Sequence, residues 1–302
     1  MKGVLVMTSQ VIKNICVVGS GTMGRQIALC GALAGYAVKC VDISAEALEI
    51  AKSFTEKFLT DRVDRGRMSQ DMALRGRDNL SFTTDLEEAA VDADLVIESI
   101  PEVLSLKRCL FSRLDSICPG HALLVTNSSF IVSSRLADAT GRPEKICNMH
   151  FFTPPLTAPP VEVVKGPHTS AATAGTIAEV CKSMGKIPIM LEKEIHGLLV
   201  NRVLKAIHHE ALFLYDTGVA SFEDIDTAVS LGLGHRIPPF KTMDLVGLDL
   251  VNLIAMEHYR ETGNPVHRPS PSVVSLVARG RLGRKSGRGF YEYSKMLEER
   301  GF

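Results

Sequence analysis

The sequence has no excess charge of either sign, because its 34 lysines and arginines balance its 34 aspartates and glutamates. A chain without net charge has no long-range attraction for nucleic acid or an anionic membrane surface, so we expect neither as a partner. No apolar run approaches the length of a membrane span. Residues 1–10 contain only a short apolar stretch, too brief for the core of a signal peptide. These absences predict a cytoplasmic protein.

Cysteine patterns that build disulfide frameworks or metal sites are also missing. The chain has seven cysteines, an odd number, and no two of them have CxxC spacing. No HExxH sequence or comparable spacing of histidines indicates a metal site. We therefore expect buried, reduced thiols and no metal ion.

Three glycines with the spacing GxGxxG follow the first apolar strand. This strand is expected from Ile15 to Val18, and a helix from Arg25 to Ala34. In such a turn Gly19 permits the tight bend, Gly21 lets the backbone approach a pyrophosphate, and Gly24 allows close packing of the helix. The spacing alone is a weak signal, but strand, turn and helix together predict a dinucleotide-binding site.

An acidic residue ends the second predicted strand. Asp42 lies 18 residues after Gly24 (42 − 24), where a carboxylate accepts hydrogen bonds from an adenosine ribose and repels a 2′-phosphate. No arginine follows Asp42 directly, so we expect NAD rather than NADP as the cofactor. The alternative is that Asp42 serves only as a helix cap or a surface carboxylate.

Length and the order of the apolar segments predict two domains. With 302 residues and 45% hydrophobic content, the chain is long enough for about two. Strands and helices alternate over residues 1–192, which is typical of a parallel sheet covered on both faces, with a helical insert near residues 44–77. Residues 193–302 change to helices in series. The predicted fold class is α/β, a Rossmann-type doubly wound sheet followed by an all-helical domain.

A histidine and a glutamate are candidates for the chemistry. His150 lies where a predicted strand meets a proline-rich loop, and imidazole titrates close to working pH, so it is a candidate general base for oxidation of an alcohol. Glu162 lies in an otherwise apolar strand, where a charge is costly without a partner. A pair would fix the imidazole tautomer and stabilise the imidazolium. The alternative is a structural histidine and an edge-strand glutamate.

A set of motifs extends over nearly the whole chain. It comprises Gly19-Ser-Gly-Thr-Met-Gly24, Glu98-Ser-Ile-Pro-Glu102, Asn127-Ser-Ser129, His150-Phe-Phe-Thr-Pro154, Val161-Glu-Val-Val164, Val200-Asn-Arg202, Pro239-Phe240 with Asp244 and Gly247-Leu-Asp249, and Lys285-Ser-Gly-Arg-Gly-Phe-Tyr291. Their order and spacing resemble those of the L-3-hydroxyacyl-CoA dehydrogenases. The branch that the chain resembles contains single-function enzymes such as 3-hydroxybutyryl-CoA dehydrogenase.

The resemblance implies reversible oxidation of a 3-hydroxyacyl-CoA by NAD, in a Rossmann domain followed by a helical domain for substrate binding and homodimerisation. The family's base falls on His150 and its orienting carboxylate on Glu162. The serine that hydrogen-bonds the reacting oxygen falls on Ser129, and the asparagine that completes the substrate site falls on Asn201. Positions for the cofactor and its neighbouring cleft fall on Gly19, Gly21, Thr22, Met23, Gly24, Asp42, Glu102, Lys107 and Asn127.

One loop departs from the family's pattern. After His-Phe-Phe the family usually has Asn-Pro, whereas this chain has Thr153-Pro154, with further prolines up to Pro160. Threonine cannot present an amide and prolines lack an N–H donor, so we expect a different hydrogen-bond network and a reshaped acyl pocket. The alternative substrate is therefore a CoA-free 3-hydroxy acid, a sugar acid or small carboxylate. A non-catalytic NAD-binding structural protein is an alternative from another class.

The insert bears on the choice between these substrates. Its basic side chains would suit the phosphates of CoA, and the resemblance favours that use. Acidic side chains are interleaved with them, so a solvated surface with i,i+4 pairs is the alternative. The basic residues are Lys52, Lys57, Arg62, Arg65, Arg67, Arg75 and Arg77.

Overall fold

The chain forms two units in a computed structural model that describes residues 11–293, apart from the side chain of Glu261. The division lies between Leu199 and Val200. The first unit holds an eight-stranded sheet and its covering helices, and the second is built from helices. Within residues 11–293, no helix is both long enough and apolar enough to cross a membrane.

Strands and helices alternate along the first unit, which confirms the predicted α/β class. The strands are β1 (Asn14–Val18), β2 (Ala37–Val41), β3 (Leu80–Thr83), β4 (Leu95–Glu98), β5 (Leu123–Thr126), β6 (Ile146–Phe151), β7 (Pro160–Val164) and β8 (Ile187–Leu191). The helices are α1 (Gly24–Leu33), α2 (Ala45–Asp64), α3 (Gln70–Asp78), α4 (Leu86–Ala90), α5 (Leu104–Ile117), α6 (Ser134–Ala137) and α7 (Ala171–Ser183). The short helices α4 and α6 were not predicted, because four or five residues are too few to set up a helical period.

The strand order of the sheet is β3-β2-β1-β4-β5-β6-β7-β8. The chain moves outward in one direction from β1 to β3 and in the other from β4, so the order reverses between β1 and β4. In open α/β sheets such a reversal opens a crevice at the carboxyl ends of the strands. Apolar residues fill both faces of the sheet, since Val17 and Ile97 belong to one buried cluster and Cys16 and Val96 to the other.

The expectation of a parallel sheet is wrong for one strand pair. β7 runs antiparallel to β6, whereas the other neighbouring strands pair in parallel. Only residues 152–159 connect the two strands. A parallel crossover needs about a dozen residues or more, so this short loop can only return the chain in the opposite direction.

The helices α2 and α3 occupy the region of the predicted insert. Each helix begins with a capping serine: Ser44 Oγ accepts the N–H of Ala47 at 3.2 Å, and Ser69 Oγ accepts the N–H of Met72 at 3.2 Å. Such caps satisfy donors that the first helical turn leaves free.

All seven cysteines are free thiols, and the predicted burial is confirmed for each of them except Cys109, which is exposed. Burial raises the pKa of the Cys30 thiol to about 11, which keeps it protonated and unreactive at neutral pH.

The second unit contains five helices within its described residues: α8 (Val200–Asp216), α9 (Phe222–Leu233), α10 (Pro239–Val246), α11 (Leu248–Thr262) and α12 (Pro271–Ala278). Gly247 adopts φ +104° and separates α10 from α11. The buried Asp244 accepts the backbone N–H groups of Phe290 and Tyr291 at 3.0 and 2.9 Å, and thereby ties α10 to the segment after α12.

Candidate active site

The three glycines of the turn after β1 differ in what a side chain at each position would meet. Gly19 adopts φ +98°, and a Cβ there would lie 2.6 Å from the carbonyl oxygen of Ser99. A Cβ at Gly24 would lie 1.7 Å from the carbonyl oxygen of Gly19. A Cβ at Gly21 would meet nothing within 4 Å. The fold itself therefore requires Gly19 and Gly24, whereas Gly21 faces open space at the start of α1.

Asp42 lies directly beside this turn. Its Oδ2 accepts the backbone N–H and the hydroxyl of Ser20 at 2.8 and 3.0 Å, and its Oδ1 accepts the N–H of Ser44 at 3.0 Å. The side chain of Ile43, the next residue, is 99% exposed. The open backbone at Gly21, the start of α1 and a fixed carboxylate together fit a dinucleotide.

Two further predicted cofactor positions, Thr22 and Met23, form the entry to α1. Met23 is the residue before its first helical position, and the Thr22 carbonyl accepts the side-chain amide of Gln26 at 3.0 Å. Thr153, from the loop after β6, donates its hydroxyl to Met23 Sδ at 3.2 Å. Thr153, where the chain departs from the family's pattern, therefore contacts a residue of the predicted cofactor site.

The antiparallel pairing of β6 and β7 brings His150 and Glu162 together. The two residues are direct register partners across the strands. His150 Nδ1 lies 2.8 Å from Glu162 Oε2, and the residues are 6% and 0% exposed. The carboxylate accepts the hydrogen bond from Nδ1–H, which fixes the tautomer in which Nε2 carries the free lone pair.

Ser129 lies on the other side of the imidazole. Its hydroxyl is 3.0 Å from His150 Nε2, so Glu162, His150 and Ser129 form one line of hydrogen bonds. The second oxygen of Glu162 accepts the backbone N–H of Leu199 at 3.0 Å, and this contact helps to hold the carboxylate in its orientation. Asn127, at the end of β5, accepts the N–H of Phe151 through its side-chain oxygen at 2.8 Å.

Asn201 is placed apart from these residues along the chain. It lies in the first turn of α8, in the second unit. Its part in the substrate site stays a prediction.

A buried ion pair that the sequence analysis missed lies at the end of β4. Glu98 and Lys107 are 0% and 1% exposed, and Lys107 Nζ is 2.5 Å from Glu98 Oε1. Glu98 also accepts the N–H of Ile100 at 2.7 Å and the hydroxyl of Thr126 at 2.6 Å. The sequence contains a signal for this pair, because Glu98 is a charged residue in an apolar strand, as Glu162 is, and a buried charge needs a partner.

Glu102 accepts several hydrogen bonds from the segment that carries Ser129. The hydroxyl of Ser128 and the N–H groups of Phe130 and Ile131 donate to it, the latter two at 3.1 Å. Lys107 Nζ lies 3.3 Å from its other oxygen. Burial acts to raise the pKa of Glu102, but the Ser128 hydrogen bond, the Lys107 charge and the two N–H donors outweigh it and leave the pKa below its usual value.

The proline-rich loop is anchored by a lysine that the sequence does not single out. Lys186, which is 8% exposed, donates to the carbonyl oxygens of Pro155 and Ala158, the latter at 3.1 Å. Because both acceptors are backbone atoms, no acidic partner in the sequence indicates the contact.

Three of the basic residues of the insert form ion pairs with neighbouring acids. They are Lys52 with Glu49, Arg65 with Asp61, and Arg77 with Glu56. These pairs favour the solvated-surface interpretation for those three residues. Across the described ranges, no three His, Cys, Asp or Glu side chains are grouped so that they could hold a metal ion.

Known proteins match both units. Residues 14–195 match the NAD binding domain of 3-hydroxyacyl-CoA dehydrogenase, and residues 197–293 match its C-terminal domain. The chain is similar to the mitochondrial hydroxyacyl-coenzyme A dehydrogenase of Rattus norvegicus, with 37% identity over 288 residues that cover 93% of this chain and 91% of the relative.

Two solved structures extend the comparison. The (S)-3-hydroxybutyryl-CoA dehydrogenase of Ralstonia eutropha is 33% identical, with a TM-score of 0.88, and the match covers 94% of this chain and 100% of that one. A diketoreductase described as acting on dicarbonyl compounds is 31% identical, with a TM-score of 0.83 and the same coverage. The first unit is thus an NAD-binding domain, and the chain belongs to the 3-hydroxyacyl-CoA dehydrogenase family.

Proposed function

We propose that this enzyme catalyses the NAD-dependent, reversible oxidation of the 3-hydroxyl of a short-chain L-3-hydroxyacyl-CoA to the 3-oxoacyl-CoA. The observation that carries the proposal is the line of hydrogen bonds from Glu162 through His150 to Ser129. A buried carboxylate, a histidine and a hydroxyl in this order suit the removal of a proton from an alcohol. The choice of a CoA thioester as the substrate rests on the family of the chain and on the names of its relatives.

In this mechanism His150 acts as the general base. Nε2 accepts the proton of the 3-hydroxyl as the carbonyl forms at C3, and the Ser129 hydroxyl holds the reacting oxygen in line. Bound NAD supplies the acceptor for the hydride that leaves C3. Glu162 keeps Nδ1 protonated and stabilises the imidazolium that His150 becomes. In the reverse direction, His150 returns the proton to the oxygen.

The cofactor contacts belong to the same proposal. The glycine turn and Asn127 would hold the dinucleotide, with Asp42 on the adenosine ribose and Glu102 and Lys107 at the cofactor and its neighbouring cleft. Asp42 is held by Ser20 and Ser44, and a fixed carboxylate repels a 2′-phosphate. Replacing Asp42 by Ala should therefore weaken NADH binding and reduce the preference for NADH over NADPH. Unchanged NADH affinity in a fluorescence titration would refute the ribose contact.

We also propose that residues 193–302 act in substrate binding, through Asn201, and in homodimerisation, with residues 1–192 as the cofactor domain. Large apolar side chains of the helical unit are exposed to solvent, which is typical of interfaces. They include Val203 (55%), Phe213 (53%), Leu231 (82%), Leu233 (70%) and Leu253 (51%). The cytoplasmic location stays a prediction.

Light scattering on the purified protein tests the dimer. We expect twice the mass of the chain, and a shift toward the monomer for Leu231→Asp or Leu253→Asp. Val91→Asp is the matched control, because Val91 is 54% exposed in the first unit. A monomeric wild type would contradict the proposal.

A CoA-free substrate is the second candidate. The similarity to a diketoreductase and the altered loop at Thr153 favour it. The ion pairs of Lys52, Arg65 and Arg77 also leave fewer basic groups for the phosphates of CoA.

One experiment separates the two substrates. Initial rates of NADH oxidation are measured with acetoacetyl-CoA and with free acetoacetate, and repeated with NADPH. We expect rapid turnover only with the thioester and NADH. Turnover of free acetoacetate would instead support a CoA-free substrate. NADH binding without turnover of either compound would support a non-catalytic NAD-binding protein.

A further inference from the structure

The backbone on both sides of Ser129 is fastened to one carboxylate. Glu102 Oε1 accepts the Ser128 hydroxyl and the N–H groups of Phe130 and Ile131, the latter two at 3.1 Å. The Ser128 hydroxyl oxygen in turn accepts the N–H of Ile131 at 2.7 Å and that of Phe130 at 3.3 Å. Ser129 therefore lies inside a tight turn whose donors converge on Glu102.

The carboxylate itself is anchored to a buried network. Its Oε2 lies 3.3 Å from Lys107 Nζ, and Lys107 is held by Glu98 at 2.5 Å and by the carbonyl of Ile100 at 3.2 Å. Glu98 also accepts the hydroxyl of Thr126, whose oxygen accepts the N–H of Ser128 at 3.1 Å. The network of Glu98 and Lys107 therefore contacts the turn at two places, through Glu102 and through Thr126 at the start of the turn.

The turn is also tied to the strand that carries His150. Asn148, two residues before His150 in β6 and fully buried, donates its side-chain amide to the carbonyls of Ser128 and Ile131, both at 3.2 Å. Asn148 binds the carbonyl side of the turn and Glu102 binds the N–H side. Without Glu102, two backbone donors next to Ser129 would lose an acceptor.

We propose that Glu102 is a positioning residue, which fixes the turn so that the Ser129 hydroxyl stays within hydrogen-bond distance of His150 Nε2. Lys107 acts through Glu102 in this arrangement, because its ammonium is buried among Glu98, Ile100 and Glu102. This inference rests on the proposed function, in which Ser129 holds the reacting oxygen. It adds a role for Glu102 that is separate from contact with the cofactor.

The kinetic test compares Glu102→Ala with Glu102→Gln, in wild-type and Ser129→Ala backgrounds. Glutamine keeps a carbonyl oxygen for the turn's donors, so we expect kcat to fall about tenfold or more in Glu102→Ala and to be largely rescued in Glu102→Gln. Because Glu102 acts through Ser129, the alanine substitution should change kcat less than about twofold once Ser129 is already Ala. Glu49→Ala, at an exposed carboxylate paired with Lys52, is the control.

Amide hydrogen exchange provides a readout that needs no substrate. We expect exchange at Phe130 and Ile131 to accelerate about tenfold or more in Glu102→Ala and to stay near wild type in Glu102→Gln. If Glu102→Ala does not fold, Glu102→Asp, whose side chain is one methylene too short to reach the turn's N–H groups, should show an acceleration in the same direction. This result would support the positioning role even if acetoacetyl-CoA were not turned over.

Three outcomes would overturn the proposal. One is an equal kcat loss from Glu102→Ala in both backgrounds, and another is unchanged exchange at Phe130 and Ile131. The third is a rise in KM for NADH with unchanged kcat, which would assign Glu102 to cofactor binding alone.

Discussion

Glu98 and Glu162 are two fully buried carboxylates in strands of the same sheet, and their partners differ. Glu98 faces Lys107, and its remaining hydrogen bonds come from Thr126 and Ile100. Glu162 faces His150, whose second nitrogen lies 3.0 Å from a serine hydroxyl. The first carboxylate is fully compensated in its resting state, whereas the second has a partner that changes charge.

This difference separates structural from chemical use of a buried acid. The carboxylate paired with lysine is held in one arrangement, because hydrogen bonds from Lys107, Thr126 and Ile100 occupy its oxygens. A carboxylate paired with imidazole stabilises a charge that appears only during proton transfer. Burial alone does not distinguish the two residues, so the partner is the informative feature.

The largest effect should come from removing the titratable partner. We expect His150→Ala to lower kcat about 10³-fold, within the range for loss of a general base, while NADH affinity stays close to wild type. His121→Ala, at an exposed histidine paired with Asp94, is the matched control. Near-normal turnover in His150→Ala would sink the general-base assignment.

Two substitutions separate the structural carboxylate from the catalytic one, because one should mainly lower stability and the other should mainly lower kcat. Glu98→Gln removes the nearer of the two carboxylates beside the buried Lys107 ammonium and leaves only Glu102, at 3.3 Å, so the free energy of unfolding should fall by about 3 kcal/mol. Glu162→Gln should lower kcat about 10²-fold with a smaller loss of stability, because glutamine keeps an oxygen that can accept the hydrogen bond from His150 Nδ1–H. Urea denaturation and initial rates on both variants check this. The comparison fails if Glu98→Gln leaves unfolding unchanged.

A similar comparison between a functional and a structural position can be made for two glycines, Gly21 in the glycine turn and Gly120 outside it. A Cβ at Gly21 meets no protein atom, so Gly21→Ala should fold normally and weaken NADH binding about tenfold or more through contact with the cofactor. Gly120→Ala, where a Cβ also meets nothing within 4 Å, should change neither property. Equal NADH affinity in both variants would remove Gly21 from the cofactor site.

His208 gives a pH-dependent test in the second unit. Burial lowers the pKa of His208 to about 4, and its Nε2 has no hydrogen-bond partner in the described residues. The unfolded chain therefore takes up a proton at higher pH than the folded one. Stability should be intact above pH 6.5 and fall by about 3 kcal/mol as the pH drops toward 4.

Urea denaturation across this pH range checks the sign. His208→Gln should flatten the acid limb, and His209→Gln, at the exposed neighbouring histidine, should leave it unchanged. A wild-type stability that does not fall between pH 6.5 and 4 would contradict the depressed pKa.

The parts of the fold that follow from local chemistry were predictable from the sequence. Gly24 and Ser44 each satisfy a requirement set by residues close in the chain, whereas Gly19 is required both by its φ of +98° and by the distant carbonyl of Ser99. The pairing of Glu162 with a cation-forming partner followed from the cost of a lone buried charge. The direction of β7 was not predicted, although the short connection over residues 152–159 contained the information.

Contacts to distant backbone atoms were beyond sequence reasoning. Lys186 binds the carbonyls of Pro155 and Ala158, and Glu102 binds the N–H groups of Phe130 and Ile131. Every residue carries such backbone groups, so no side-chain pattern identifies which of them is the partner. The ion pair of Glu98 with Lys107 was within reach, because a glutamate ends an apolar strand there.

The most direct test of the account asks whether His150 and Glu162 act as one unit. It compares kcat for acetoacetyl-CoA reduction in His150→Ala, Glu162→Gln and the double variant. Since Glu162 acts through His150, the double variant should be no slower than His150→Ala alone. If the two losses multiply in the double variant, Glu162 contributes independently of His150 and the central claim is contradicted.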